Sequence, residues 1–192
     1  PLDHAKLYSG KALEFDGIGD FLSMTDVTVG MTNFTFAIWF KKVVGSTGAI
    51  TAYNSGGTYI QFNSAVTITS YIDTDDTDIN FGTPITDDGQ WHRYVLTVTS
   101  SSQKGYLDGK HLTTSSVSAG ALVDPITRIG SYNGAAFFDG CMADYQIWNT
   151  AWDADDVKYD YLNPEKLITS NASVSGSQTT SNLKLWYPMN EG

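Results

Sequence analysis

Apolar and polar residues alternate with a period of two along most of the chain, the pattern of half-buried strands rather than amphipathic helices. Phe34, Phe36, Ile38 and Phe40 fall on one face of a run whose other face carries Thr35, Ala37, Trp39 and Lys41. Residues 91–98 repeat the pattern, with Tyr94, Leu96 and Val98 turned toward a core. Residues 59–62 and 66–72 predict a further pair of strands, and 105–112 predict a hairpin. Its turn is Asp108-Gly109, because glycine takes the positive φ that a type I′ turn requires. Residues 137–149 predict a long closing strand, with Tyr145 and Ile147 inward and Asp144, Gln146 and Trp148 outward. Such runs, separated by Gly, Asn and Asp at short intervals, predict an all-β, two-sheet antiparallel sandwich.

One segment breaks the period. Residues 153–162 predict a short helix: acids in the first turn suit the helix dipole, and Asn163-Pro164 ends it. The organisation that follows is a sandwich over residues 1–163, a Ser/Thr-rich linker over 164–182 and a terminal strand within 183–192. Leu183, Leu185 and Tyr187 alternate with Lys184 and Trp186, so one face of that strand needs a sheet to cover it. It either completes this sandwich or opens a following module. Docked on a neighbouring copy instead, it would make an oligomer.

Composition agrees with strands: 13% of residues are aromatic and only 17% charged, against roughly 25% charged in an average domain. A net charge of −10 repels phosphate backbones and argues against nucleic acid as a partner. No apolar run is long enough to insert into a membrane as a helix. The single Cys141 cannot form an intramolecular disulfide.

Five segments, in order, resemble the laminin-G-like family. They are residues 12–22, 34–41, Asp88-Gly-Gln-Trp-His92, Tyr106-Leu-Asp-Gly109 and residues 138–149. The resemblance covers residues 7–163 and implies a concanavalin A-like jelly roll. In that family the segment Leu185-Trp-Tyr-Pro-Met-Asn-Glu-Gly192 usually precedes the domain, whereas here it follows. A similar linker and strand also occur in tail and other virion proteins of bacterial viruses. The resemblance thus implies an extracellular or virion-surface module whose partner is a glycan or another protein chain.

Related folds include glycosidases, so catalysis has to be judged on residues. Retaining glycosidases place two carboxylates about 5 Å apart. This chain has only Glu14, Glu165 and Glu191, and Glu14-x-Asp16 is followed by Ile18 where a third acid would stand. The reading is therefore non-enzymatic. Sugar binding asks for aromatic rings beside hydrogen-bonding groups. Tyr53, Asn54, Tyr59, Tyr132, Asn133, Phe137 and Phe138 are the loop candidates, Tyr53 and Tyr132 lying beside Gly-rich loops. Trp39 and Arg93, outward on their strands, are a set that could line a concave face; the competing reading is that these rings pack, and it is the favoured one for Trp39 and Trp91. For calcium, Asp16 and Asp20 flank a Gly-Ile-Gly turn with carbonyls to spare. The resemblance adds Asp144, from a strand the family sets beside that turn. The competing reading is that these acids cap turns. The acidic run from Asp73 to Asp78 reads as a solvated loop.

Overall fold

The computed structural model describes residues 11–53, 57–72, 78–81, 87–116, 120–164, 166–170 and 178–189. The strands begin with β1 (Leu13–Asp16), β2 (Leu22–Ser23), β3 (Phe34–Lys42) and β4 (Gly48–Ala52). Next come β5 (Tyr59–Ser64), β6 (Thr67–Tyr71), β7 (Asp78–Phe81) and β8 (Trp91–Val98). The series closes with β9 (Ser102–Leu107), β10 (Lys110–Ser116), β11 (Arg128–Ile129) and β12 (Asp139–Trp148). After the helix α1 (Ala154–Leu162) comes β13 (Leu183–Tyr187).

They form two antiparallel sheets, as the alternation predicts. The first runs β1-β12-β3-β8-β9-β10, with β13 also on β12; the second runs β2-β11-β4-β5-β6-β7. Between them Phe36, Ile38 and Phe40 of β3 and Tyr94, Leu96 and Val98 of β8 meet Ile60, Phe62 and Ile68 of the opposite sheet. Phe40 meets Phe62 edge to face at 5.1 Å. Burial of each such side chain contributes roughly 1.5–3 kcal/mol. Two polar bonds tie the sheets: the Thr51 and Tyr145 hydroxyls at 2.8 Å, and the Ser70 hydroxyl donating to Gln103 Oε1 at 2.7 Å.

The helix starts where the acids predict. Asp153 Oδ1 accepts from the N–H groups of Asp155 and Asp156, and Asp156 Oδ2 accepts in return from the Asp153 N–H. This reciprocal capping satisfies donors that the first turn would otherwise leave open. The helix does not float free. Val157, with Trp152 and Ile168, packs onto Ala37, Val95, Tyr106 and Trp148, forming a second apolar cluster on the outer face of the first sheet. The part of that face over β3, β8 and β12 is thereby covered.

The two ends of the sandwich share one edge. β1 pairs with residues 139–142 of β12, and β13 pairs with residues 145–148 of the same strand. At the junction Asp144 takes φ 50°, and its N–H donates to the Pro188 carbonyl at 2.9 Å.

Candidate functional site

The second sheet is built from β2, β11, β4, β5, β6 and β7. In β5, Ile60 and Phe62 point inward, so Tyr59 and Gln61 point outward. The β5–β6 register then sets Tyr59 opposite Tyr71 and Gln61 opposite Thr69, and β7 brings Asn80 beside Thr69. Tyr59 and Tyr71 stack at 5.4 Å with 14° between their planes. Tyr132 closes on Tyr59 from the other side at 4.8 Å. It is placed there by a tight turn: Asn133 and Gly134 have φ of 52° and 67°, and Tyr132 and Ala135 exchange backbone hydrogen bonds. Asparagine followed by glycine is among the few pairs that take up two positive φ angles cheaply. The three tyrosines are half-buried and Asn133 is exposed.

Along the same cross-strand row, Tyr59 faces Ala52 of β4, and Ala52 faces Arg128 of β11. The Arg128 guanidinium lies over the Phe21 ring at 4.3 Å. The result is an aromatic wall of three tyrosines with an amide row (Gln61, Asn80) on one side. A cation and Phe21 stand at the far end. Two open clefts lie elsewhere: one of about 380 Å³ lined by Val29, Met31 and Lys184, another of about 210 Å³ lined by Val43, Val44 and Cys141. The first has no aromatic ring in its lining, and the second has one, Phe15.

Of the residues singled out for binding, Tyr59, Tyr132 and Asn133 thus sit together. Tyr53 is half-buried just past β4, its N–H donating to the Thr58 carbonyl at 2.8 Å. Asn54 lies outside the described residues, as does most of the acidic run 73–78. Tyr71, Gln61, Asn80, Arg128 and Phe21 escaped the sequence reading. The mirror spacing of Tyr59 and Tyr71 about residue 65 was the signal for the first of these. Trp39 packs, the reading favoured for it, Arg93 points outward without lining an open face, and Phe138 is buried in the core. Trp39 stacks on Tyr161 of α1 at 5.9 Å, and Arg93 is wholly buried.

Arg93 is the centre of a polar network under the helix. Its Nε and Nη2 donate to the two Asp160 oxygens at 2.7 and 2.9 Å, and Nη1 donates to the Asp144 carbonyl at 2.9 Å. Burial pushes the Asp160 carboxyl up, against the Arg93 charge that favours its ionised form. Asp144 Oδ2 sits 3.0 Å from Arg93 and accepts from Gln146 Nε2 at 2.8 Å; Oδ1 accepts from Trp186 Nε1 at 2.7 Å.

These bonds bear on calcium. Asp16 and Asp20 share one turn, where Asp16 Oδ1 accepts from the N–H groups of Ile18, Gly19 and Asp20. Asp20 Oδ2 accepts from the Asp16 N–H. The strand partner of Asp16 is Asp139, five positions along β12 from Asp144, or roughly 16 Å of strand. The three carboxylates therefore do not fit one shared ion. Among the described residues no three His, Cys, Asp or Glu side chains converge as metal ligands. The Asp16 carboxyl is held below its ordinary value, chiefly by the Gly19 and Ile18 N–H groups.

The family model described as the concanavalin A-like lectin/glucanases superfamily matches residues 16–158. No curated protein sequence matches the chain. Among solved structures, a proposed carbohydrate-binding protein from Bacteroides ovatus superposes with a TM-score of 0.69 at 15% identity. The match covers 94% of this chain but only 51% of that one, so the chain spans about half its length. Domain 4 of the GH43 extracellular arabinanase AbnA from Geobacillus stearothermophilus, in complex with arabinotriose, gives 0.62 at 17% identity. That match covers 79% of this chain and 77% of the other. The CBM40 of the Ruminococcus gnavus IT-sialidase, bound to α2,3-sialyllactose, gives 0.60 at 12%, covering 78% and 95%. At such identities the likeness is one of fold. The family match extends over most of the sandwich, and the chain belongs to the laminin-G-like group of the concanavalin A-like lectin/glucanases superfamily.

Proposed function

We propose that this domain is a non-catalytic carbohydrate-binding module, and that sugar lies on the outer face of the second sheet against Tyr59, Tyr71 and Tyr132. The observation that carries this reading is the three-ring wall, half-exposed on a face that no helix among the described residues covers. Aromatic carbons stack on the apolar faces of pyranose rings, and neighbouring amides read hydroxyl orientation. Gln61 and Asn80 are suited to that second task. Sugar-binding neighbours of the same fold support the assignment. A module of this kind works outside a cell or on a virion surface, holding its parent protein to a glycan.

The test is a glycan array followed by calorimetry on the best sugar. Tyr59→Ala should weaken binding at least about tenfold, equivalent to about 1.4 kcal/mol, while the melting temperature stays close to that of the parent. Trp186→Phe, on the opposite sheet, should leave affinity unchanged. Loss of binding in Trp186→Phe but not in Tyr59→Ala would move the site to the other sheet and end this proposal.

A further inference from the structure

The chain contains two arginines, and they are treated very differently. Arg93 is wholly buried and spends its donors on Asp160 and Asp144. Arg128 is half-buried and, among the described residues, has no carboxylate partner, although acids outnumber bases 21 to 11 in this chain. Its one polar contact is a long one, Nη1 to Ser131 Oγ at 3.4 Å. A guanidinium presents five N–H donors in a planar fork. The Phe21 ring, 4.3 Å away, covers a face of that plane and leaves the donor edge unused.

Its position matters as much as its partners. Arg128, Ala52, Tyr59 and Tyr71 succeed one another on adjacent strands of the same face. Two strand spacings, roughly 10 Å, separate Arg128 from Tyr59. The residue between them, Ala52, is itself buried beneath neighbouring groups and offers no side chain of its own to a ligand. A sugar resting on the tyrosine wall and reaching about 10 Å along this row would bring a substituent to the guanidinium.

We propose that Arg128 makes this face selective for sugars bearing a carboxylate, of the uronic or sialic acid class, with Arg128 gripping the carboxylate while Tyr59 holds a neighbouring ring. This rests on the carbohydrate-binding reading above. The fork matches the two carboxylate oxygens in one plane, a fit that a lysine ammonium cannot copy. The net charge of −10 repels anions at long range, so selectivity has to be local. Screening over about 10 Å at 0.1 M salt softens that repulsion.

The experiment compares three probes by calorimetry at 0.15 M salt: tri-galacturonate, 3′-sialyllactose and lactose, with carboxyl-reduced tri-galacturonate as the matched neutral control. The expected result is that one acidic probe binds at least tenfold more tightly than its neutral counterpart. Arg128→Gln should erase that difference without changing affinity for the neutral sugar, and Arg128→Lys should restore it only in part. Tyr59→Ala should weaken both. Near-ultraviolet circular dichroism establishes that each variant is folded. If neutral and acidic probes bind equally, or Arg128→Gln leaves the preference intact, the carboxylate assignment is overturned while carbohydrate binding stands. If neither these probes nor any sugar on the array binds, both fall. A preference for a sulfated sugar over its carboxylated analogue also overturns the assignment.

Discussion

Replacing Asp160 by alanine tests whether the network under α1 holds the helix to the sheet. The wild-type carboxylate accepts two parallel hydrogen bonds from Arg93, whose side chain is 0% exposed. Removing it strands a guanidinium in a space closed by Trp39 and Tyr161. Breaking a buried pair from one side generally costs ~3–5 kcal/mol, because the remaining charge is desolvated without compensation. Asp144 Oδ2 still lies 3.0 Å from Arg93 Nη1, so the lower end of that range, about 3 kcal/mol, applies here. For a chain of this length that lowers the melting temperature by roughly 6–12 °C.

The assay is urea unfolding at pH 7 followed by tryptophan fluorescence, with the slope of the transition compared between variants. The double variant Arg93→Met, Asp160→Leu separates charge from packing. It removes both ions and should recover more than half of the loss, since apolar side chains of similar volume commonly replace a buried pair without penalty. A loss below about 1 kcal/mol in Asp160→Ala would refute the reasoning. So would a double variant no more stable than the single one, since the cost would then not come from the unpaired charge.

His92 is the group in the sandwich that should make stability depend on pH near neutrality. Burial opposes its charging, but Asp108 at 2.8 Å and Asp88 at 3.2 Å prevail and raise its pKa above the ordinary 6.5. A raised pKa adds stability that is fully present below the unfolded value of 6.5 and is lost as pH rises through the folded value. Melting temperature should therefore fall from pH 6 to pH 8.5, and His92→Gln should flatten that slope; an equal slope in the variant would exclude His92. The Asp16 turn engages one oxygen of each of its two carboxylates in backbone hydrogen bonds, so adding millimolar calcium after EDTA should leave the melting curve in place. A rise abolished by Asp20→Ala would require an ion there. We also propose that β13 belongs to this sandwich in solution. Deleting residues 183–192 should lower the melting temperature and cause association in light scattering, because the 145–148 half of the β12 edge is left open. A stable, monomeric truncation would contradict this.

Alternation along the chain was enough to assign faces, and the reason is physical: successive strand residues point to opposite sides, so an apolar set of one parity has to be the core. Phe34 to Phe40 in β3 and Tyr94 to Val98 in β8 needed no further information. Alternation is silent about what lies against the other parity. Trp39, Arg93, Gln146 and Trp148 point away from the core, as their positions demand, and yet each is buried. The cause is the course of the chain after β12. Val157 and Ile168 fold back onto that face, and Asp160 meets Arg93 across 67 positions of sequence, a contact that no local pattern encodes.

The same limit applied to Asp144. Resemblance placed it beside the Asp16 turn, but the register pairs Asp16 with Asp139, and β13 takes up the half of β12 that holds Asp144. A five-position offset along one strand turned a candidate metal ligand into the hinge of an internal network. Register, not residue type, decided its chemistry. The binding face followed from the same facts in reverse. With α1 packed on the outside of the first sheet, the half-exposed tyrosines lie on the outside of the second. There Tyr59 and Tyr71, twelve positions apart, become neighbours because β5 and β6 pair about a tight turn. Loop aromatics drew attention in the sequence because their surroundings were rich in glycine. Arg128, framed by apolar and hydroxyl residues, carried no such flag. It emerges only when strand order brings β11, β4 and β5 side by side and leaves one cation at the end of an aromatic row with no acid among the described residues to meet it.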